Sequence, residues 1–321
     1  MNILITGAAG FVGSALIKRL FSQLGPNDRL IATDITFPQR RDQPGVQYLE
    51  GAIEDPDHLA RLTEVPLDQV FHLATVAGVQ SADFNLGKRI NLDATMALLD
   101  ALAAQPTPAR LIYSSSIGVF GAPLPEVVDD DTLPSPAWSY GTHKLVCEYL
   151  ITDYARAGLI DGVALRFPGI LARPEGSATM LSAFLSNVFY AARESRTFNL
   201  PLAPGDAVWA MSLRRCVDNV LHAAALPNAT LPARRAWTLP ALRVSMAELV
   251  QALAMAYGGG VLDRITCDPQ PAAQALFAMP RLRASGAEAL GFVGDSDAAD
   301  LVRNIIAECP ALAPARIEEL R

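Results

Sequence analysis

Tyr140 and Lys144 stand four residues apart in Ser139-Tyr140-Gly141-Thr142-His143-Lys144, and Leu145, Val146, Tyr149 and Leu150 continue the segment at helical spacing. Four residues is close to one helical turn, so one face presents the phenol and the ammonium together. A phenol ionises near pH 10, and one that acts as a base near neutrality needs its pKa lowered by about three units, roughly 4 kcal/mol. A neighbouring ammonium is one source of that field. Upstream, Arg110-Leu111-Ile112-Tyr113 runs into Ser114-Ser115-Ser116-Ile117-Gly118, which puts hydroxyls at the end of an apolar run, with Ser116 placed to hold a reacting oxygen. Together these residues describe the removal of a proton from a substrate hydroxyl. Y-x-x-x-K also occurs on ordinary surface helices, so its meaning depends on the elements that carry it.

The chain opens with the element that decides this. Ile3-Leu4-Ile5 is a short apolar run of the kind buried on both faces of a sheet, followed by Thr6-Gly7-Ala8-Ala9-Gly10-Phe11-Val12-Gly13 and then apolar residues at helical spacing. Gly7 permits the tight turn, Gly10 lets the backbone approach a pyrophosphate, and Gly13 lets the helix lie against the strand. The helix N-terminus then faces the phosphates. Gly7, Gly10, Phe11, Val12 and Gly13 are therefore expected to contact a dinucleotide, whose nicotinamide would add a positive charge beside Tyr140. Arg29 to Asp34 reads as a second buried strand ending in a carboxylate, which can accept the adenosine ribose hydroxyls and repels a 2′-phosphate. The expected cofactor is NAD. Arg40 and Arg41 follow closely and would suit a 2′-phosphate instead.

Further strands are expected at 46–49, 70–74 and 110–113, with a helix over 11–24 and another over 84–104 carrying Asn91 among its apolar positions. Strands alternating with helices make an α/β fold, a Rossmann-type doubly wound parallel sheet, whose ligands sit at the carboxyl ends of the strands. Residues 1–170 are expected to form this NAD-binding domain. Residues 171–321 are expected to form a smaller, mainly substrate-binding domain, with helices over 181–192, 213–225 and 245–257, and with roughly 212–240 returning to the sheet.

The 321 residues are 51% hydrophobic, with a net charge of -7. That charge argues against nucleic acid or an anionic membrane as a partner, because either needs a basic face. Four scattered cysteines fit free thiols in a reducing cytoplasm. His72, alone in an apolar strand, reads as a satisfied core residue. His143 and Cys147 are four apart but lack a third ligand at useful spacing, so no metal is expected.

With these motifs in place, nearly the whole chain resembles the extended short-chain dehydrogenase/reductases of the epimerase/dehydratase group, and within it the D-erythronate dehydrogenases. The segments that carry the resemblance are 82–87 with 89–93, 119–125, 139–142, and 161–168. It implies Tyr140 as base, Lys144 as its partner and Ser116 as the assisting serine. It further implies that Pro168 lies near the nicotinamide, that Ile53, Leu73 and Ala74 line the cofactor, and that Asn91 is a polar residue near the site. The implied activity is oxidation of the C2 hydroxyl of a short sugar acid, with Thr75 and Arg173 joining Ser116 and Tyr140 on the substrate, and the implied assembly is a homodimer. Three departures stand out: Ala52 where relatives usually carry an aspartate near adenine, Ala77 in a shortened turn, and 173–178, where Arg173 still matches the family's arginine-proline-glycine segment but Glu175 and the residues after it differ. A nucleotide-sugar epimerase with retained NAD uses the same three catalytic residues and is the alternative; a non-catalytic NAD-binding regulator is a second.

Overall fold

The structure is a computed structural model that describes residues 1–38, 43–174 and 182–314. It divides into two compact units. The first comprises Met1–Gly121, Leu133–Phe167 and Asn219–Thr238, and the second Ala122–Thr132, Pro168–Asp218 and Leu239–Arg321.

The first unit is built on seven strands: β1 (Asn2–Thr6), β2 (Arg29–Asp34), β3 (Val46–Glu50), β4 (Gln69–His72), β5 (Arg110–Ser116), β6 (Asp161–Phe167) and β7 (Ala236–Thr238). They lie in the order β7-β6-β5-β4-β1-β2-β3, and every neighbouring pair is parallel. This is the doubly wound Rossmann-type sheet. Helices cover both faces, which is why the central strands are apolar throughout rather than alternating. Leu4, Val70, Leu111, Leu98 and Ile151 meet in its core and are fully buried.

The helix expected over 84–104 is broken into three pieces. An α-turn at Phe84–Gly87 and an α-helix at Ala94–Ala103 flank a π-helical turn at Lys88–Asp93. The cause is Asn91, whose Oδ1 accepts from the Val76 N–H (2.7 Å) and whose Nδ2 donates to the Val76 carbonyl (2.8 Å). Its own carbonyl accepts from Thr95 Oγ1 (3.0 Å) and Cys147 Sγ (3.3 Å). These contacts widen the helix locally, in the manner of π-turns found at functional sites.

The second unit contains the strands Gly169–Ile170, Ala207–Met211 and Leu242–Ser245 in one small sheet. Helices Phe184–Arg193, Met246–Tyr257 and Ala298–Glu308 close its core through Val188, Phe189, Leu249, Leu253 and Leu301. Ser245 and Glu248 form a reciprocal capping box that starts the middle helix. Residues 122–132 belong to this unit rather than to the first 170 residues, because Val127–Val128 pairs in parallel with Arg281–Leu282. That pairing is distant in sequence and leaves no local pattern. The expected helix start at residue 181 and the altered segment 175–178 lie outside the described residues, as do Arg40 and Arg41. Among the described residues no helix is long and apolar enough to cross a membrane.

The helix Ser139–Arg156 lies against the turn that follows β5, at Ile117–Val119. Gly141 makes this approach possible: a Cβ there would run into the Gly118 carbonyl oxygen. Gly141→Ala should therefore lower the unfolding free energy by about 1–3 kcal/mol, read from denaturant unfolding; an unchanged midpoint would show that the helix has room to shift.

Candidate active site

Ser116, Tyr140 and Lys144 come together at the carboxyl end of β5. Ser116 is the last residue of the strand, and its Oγ accepts the Gly118 N–H at 3.0 Å. With an acceptor site so occupied, the Ser116 O–H is left to donate. Gly118 separates the serine from the tyrosine: a Cβ on it would lie 3.3 Å from Ser116 Oγ and 3.5 Å from Tyr140 Cδ1. Tyr140 and Lys144 share the first turns of the Ser139–Arg156 helix, and Lys144 Nζ lies 5.7 Å from the Tyr140 ring centroid.

Lys144 is 1% exposed. Its Nζ donates to the Ser114 carbonyl at 2.6 Å and lies 4.5 Å from the Tyr113 ring centroid, where the π-face attracts a cation. Burial penalises the charged form and lowers its pKa to about 8, opposed by Cys147 and Glu148. Next to it, His72 is enclosed and held neutral. Its Nδ1 is 2.7 Å from Thr6 Oγ1 and its Nε2 is 2.9 Å from Thr95 Oγ1. Thr95 gives its hydroxyl proton to the Asn91 carbonyl, so His72 Nε2 donates to Thr95 and Nδ1 accepts from Thr6. Burial and the nearby Lys144 charge bring the His72 pKa down to about 3.

The strand–turn–helix of β1 and Phe11–Phe21 has the shape a dinucleotide needs. Gly7 adopts φ +67°, and a Cβ on it would sit 2.7 Å from the Ala74 N and the Leu73 carbonyl carbon. The backbones of 7 and 73–74 thus pack with no space for a side chain, and Gly10 and Gly13 are similarly tight against the Gly7 carbonyl. The helix Phe11–Phe21 begins with no side-chain cap at Gly10, and the positive end of its dipole suits an anion there. Asp34 closes β2, and its oxygens accept the Ala9 N–H (2.9 Å) and the Ile35 N–H (2.8 Å). These residues fit a dinucleotide.

Of the other expected contacts, Ile53 is buried in the first unit's core and Thr75 donates to Asn91 Oδ1 at 2.9 Å. Pro168 follows directly on β6. Arg173 belongs to the second unit, where its N–H donates to Ser186 Oγ at 3.1 Å. Three polar residues around Lys144 were not singled out by the sequence pattern: Thr95, Glu148 and Arg166. The available signals were the four-residue step from Lys144 to Glu148 and a lone arginine inside the apolar strand β6.

Because Lys144 titrates near 8 when folded against 10.5 as an ordinary lysine, the unfolded chain binds this proton more tightly. The lysine's contribution to stability therefore rises as pH climbs from about 8 to 10.5. Measured by denaturant unfolding, the stability difference between wild type and Lys144→Met should move in favour of wild type by roughly 3 kcal/mol across that window. A pH-independent difference would contradict a buried ammonium.

Comparison with known proteins places the chain in a family. Residues 3–209 match the model of the NAD dependent epimerase/dehydratase family. The chain is 35% identical to the D-erythronate dehydrogenase of Cupriavidus necator, covering 94% of this chain and 97% of that protein. It is 31% identical to the D-erythronate dehydrogenase of Haemophilus influenzae, covering 95% and 99%. Among solved structures, a nucleoside-diphosphate-sugar epimerase from Agrobacterium tumefaciens superimposes with a TM-score of 0.89 at 30% identity, over 96% of this chain and 94% of that one. A GalE-like L-threonine dehydrogenase from Cupriavidus necator shares the fold, with a TM-score of 0.82 at 21% identity, over 96% and 99%. The chain belongs to the NAD-dependent epimerase/dehydratase family, as an NAD-dependent enzyme of the extended short-chain dehydrogenase type.

Proposed function

We propose that this protein oxidises the C2 hydroxyl of a short sugar acid of the D-erythronate kind. The observation that carries the reading is the buried Lys144, fixed by the Ser114 carbonyl within 5.7 Å of the Tyr140 ring, with Ser116 across Gly118. The substrate class is supported by the two D-erythronate dehydrogenases that this chain matches over almost its full length.

NAD supplies the hydride acceptor. Gly7, Gly10, Phe11, Val12 and Gly13 would hold its pyrophosphate and Asp34 its adenosine ribose, with Ile53, Leu73, Ala74, Asn91 and Pro168 lining the remainder. Ser116, whose oxygen already accepts the Gly118 N–H, donates a hydrogen bond through its O–H to the substrate oxygen and orients it. Tyr140 takes the proton of that hydroxyl. Lys144 favours the phenolate by placing a cation close by in a dry setting, where a charge acts more strongly than in water. Thr75 and Arg173 complete the substrate contacts, with the Arg173 guanidinium as partner of the carboxylate. A homodimer in the cytoplasm, without nucleic acid or membrane partners, belongs to the same proposal.

A nucleotide-sugar epimerase is the second reading, favoured by the Agrobacterium structure. A single set of measurements separates the two. Purified protein is given NAD or NADP with a panel of short sugar acids that includes D-erythronate, and nicotinamide reduction is followed. Turnover with NAD is expected, and Tyr140→Phe should lower it by about 10²–10⁴-fold. Normal turnover by Tyr140→Phe would refute the assignment of the base. Silence across the panel, with NAD released on denaturation, would favour the epimerase.

A further inference from the structure

Immediately behind the tyrosine, lysine and serine lies a second polar cluster. Glu148 follows Lys144 by one helical turn, with its side chain 2% exposed, and Arg166 on β6 is 5% exposed. Arg166 Nε donates to Glu148 Oε1 at 2.9 Å and Nη2 donates to Oε2 at 2.7 Å. Ser115 Oγ donates to the same Oε1. The guanidinium carbon stands 5.1 Å from the Phe120 ring centroid. A buried ion pair is weak evidence for stability, because desolvation offsets much of its attraction.

Its placement suggests another use. Lys144 and Glu148 are four apart on one helix face and grip adjacent residues of β5, Lys144 through the Ser114 carbonyl and Glu148 through the Ser115 hydroxyl. Ser116 is the next residue. Sliding the helix along β5 would break both ties and move Ser116 relative to Tyr140. The groups facing Lys144 are His72 on β4, Tyr113 on β5, and Tyr140, Cys147 and Glu148 on its own helix, with Arg166 behind Glu148 on β6. Burial holds His72, Cys147 and Tyr113 in their neutral forms near neutral pH. Among the described residues, the carboxylate acting on Lys144 is Glu148.

We propose that Glu148, clamped between Arg166 and Ser115, is a positioning residue that fixes the Lys144 helix in register against β5 and keeps Lys144 an ammonium. The proposal rests on Lys144 and Tyr140 being the working pair, but it is tested without turnover. The chain has three lysines, Lys18, Lys88 and Lys144, so lysine labelled with carbon-13 at Cε gives three nuclear magnetic resonance signals. Lys144→Met identifies the one of interest, which should titrate near pH 8 in wild type.

Glu148→Gln removes the carboxylate and leaves the Arg166 charge uncompensated, so the Lys144 midpoint should fall by about one unit. Arg166→Met leaves the carboxylate uncompensated, and the midpoint should rise by about as much. General loosening of the structure would move both variants the same way. Opposite shifts therefore support the proposal, while equal or absent shifts in folded variants overturn it. If either single variant fails to fold, the double variant Glu148→Gln/Arg166→Met decides, since loss of the nearer carboxylate should still lower the midpoint and an unchanged midpoint refutes the role. Failure of the sugar-acid reading would leave these titrations intact, and so would be told apart.

Discussion

An ammonium group removed from water is the constraint around which this site is arranged. Lys144 has one protein hydrogen bond described, to the Ser114 carbonyl, together with the face of Tyr113 and the field of Glu148. Such a group persists only where its surroundings are fixed, because each partner must stay within a few tenths of an ångström to offset the lost hydration. The need for that precision explains the neighbouring features. Gly141 brings the lysine helix down onto the turn after β5, Asn91 ties the π-turn at Lys88–Asp93 to the Val76 backbone, and His72 is locked neutral between Thr6 and Thr95. A charged His72 would stand against Lys144, and burial prevents it.

The cofactor end follows a different logic. There the chain provides absence of side chains rather than charge: a left-handed glycine at Gly7, backbone packed on backbone at 73–74, and an uncapped helix start after Gly10. Asp34 brings a carboxylate to this end, held by the Ala9 N–H of the glycine turn and the Ile35 N–H just past β2. Both ends share one sheet, so the register of seven parallel strands sets them relative to each other within the first unit.

Much of this was legible in the sequence because its causes are local. Strands buried on both faces must be apolar runs, and Ile3-Leu4-Ile5 and Val70-Phe71 are such runs. The step from Tyr140 to Lys144 needs only helical periodicity to be read. Features set by distant contacts were not legible. The π-turn at Asn91 depends on bonds to Val76, fifteen residues back. The pairing of Val127–Val128 with Arg281–Leu282 joins segments with no shared pattern. Glu148 looks like any acid on an amphipathic helix until Arg166, eighteen residues on, is found beside it. The strands of the second unit were harder, since they run to only two to five residues and carry little periodicity, whereas its helix at Met246–Tyr257 falls where helical spacing placed one.

The account turns on whether Lys144 makes Tyr140 a base, and the direct measurement is tyrosinate absorbance as a function of pH in wild type, Tyr140→Phe and Lys144→Met, each with NAD bound. One tyrosine that ionises below the ordinary phenol value of about 10, absent from Tyr140→Phe and displaced upward in Lys144→Met, is the predicted result. Identical titrations of wild type and Tyr140→Phe below that value would contradict it.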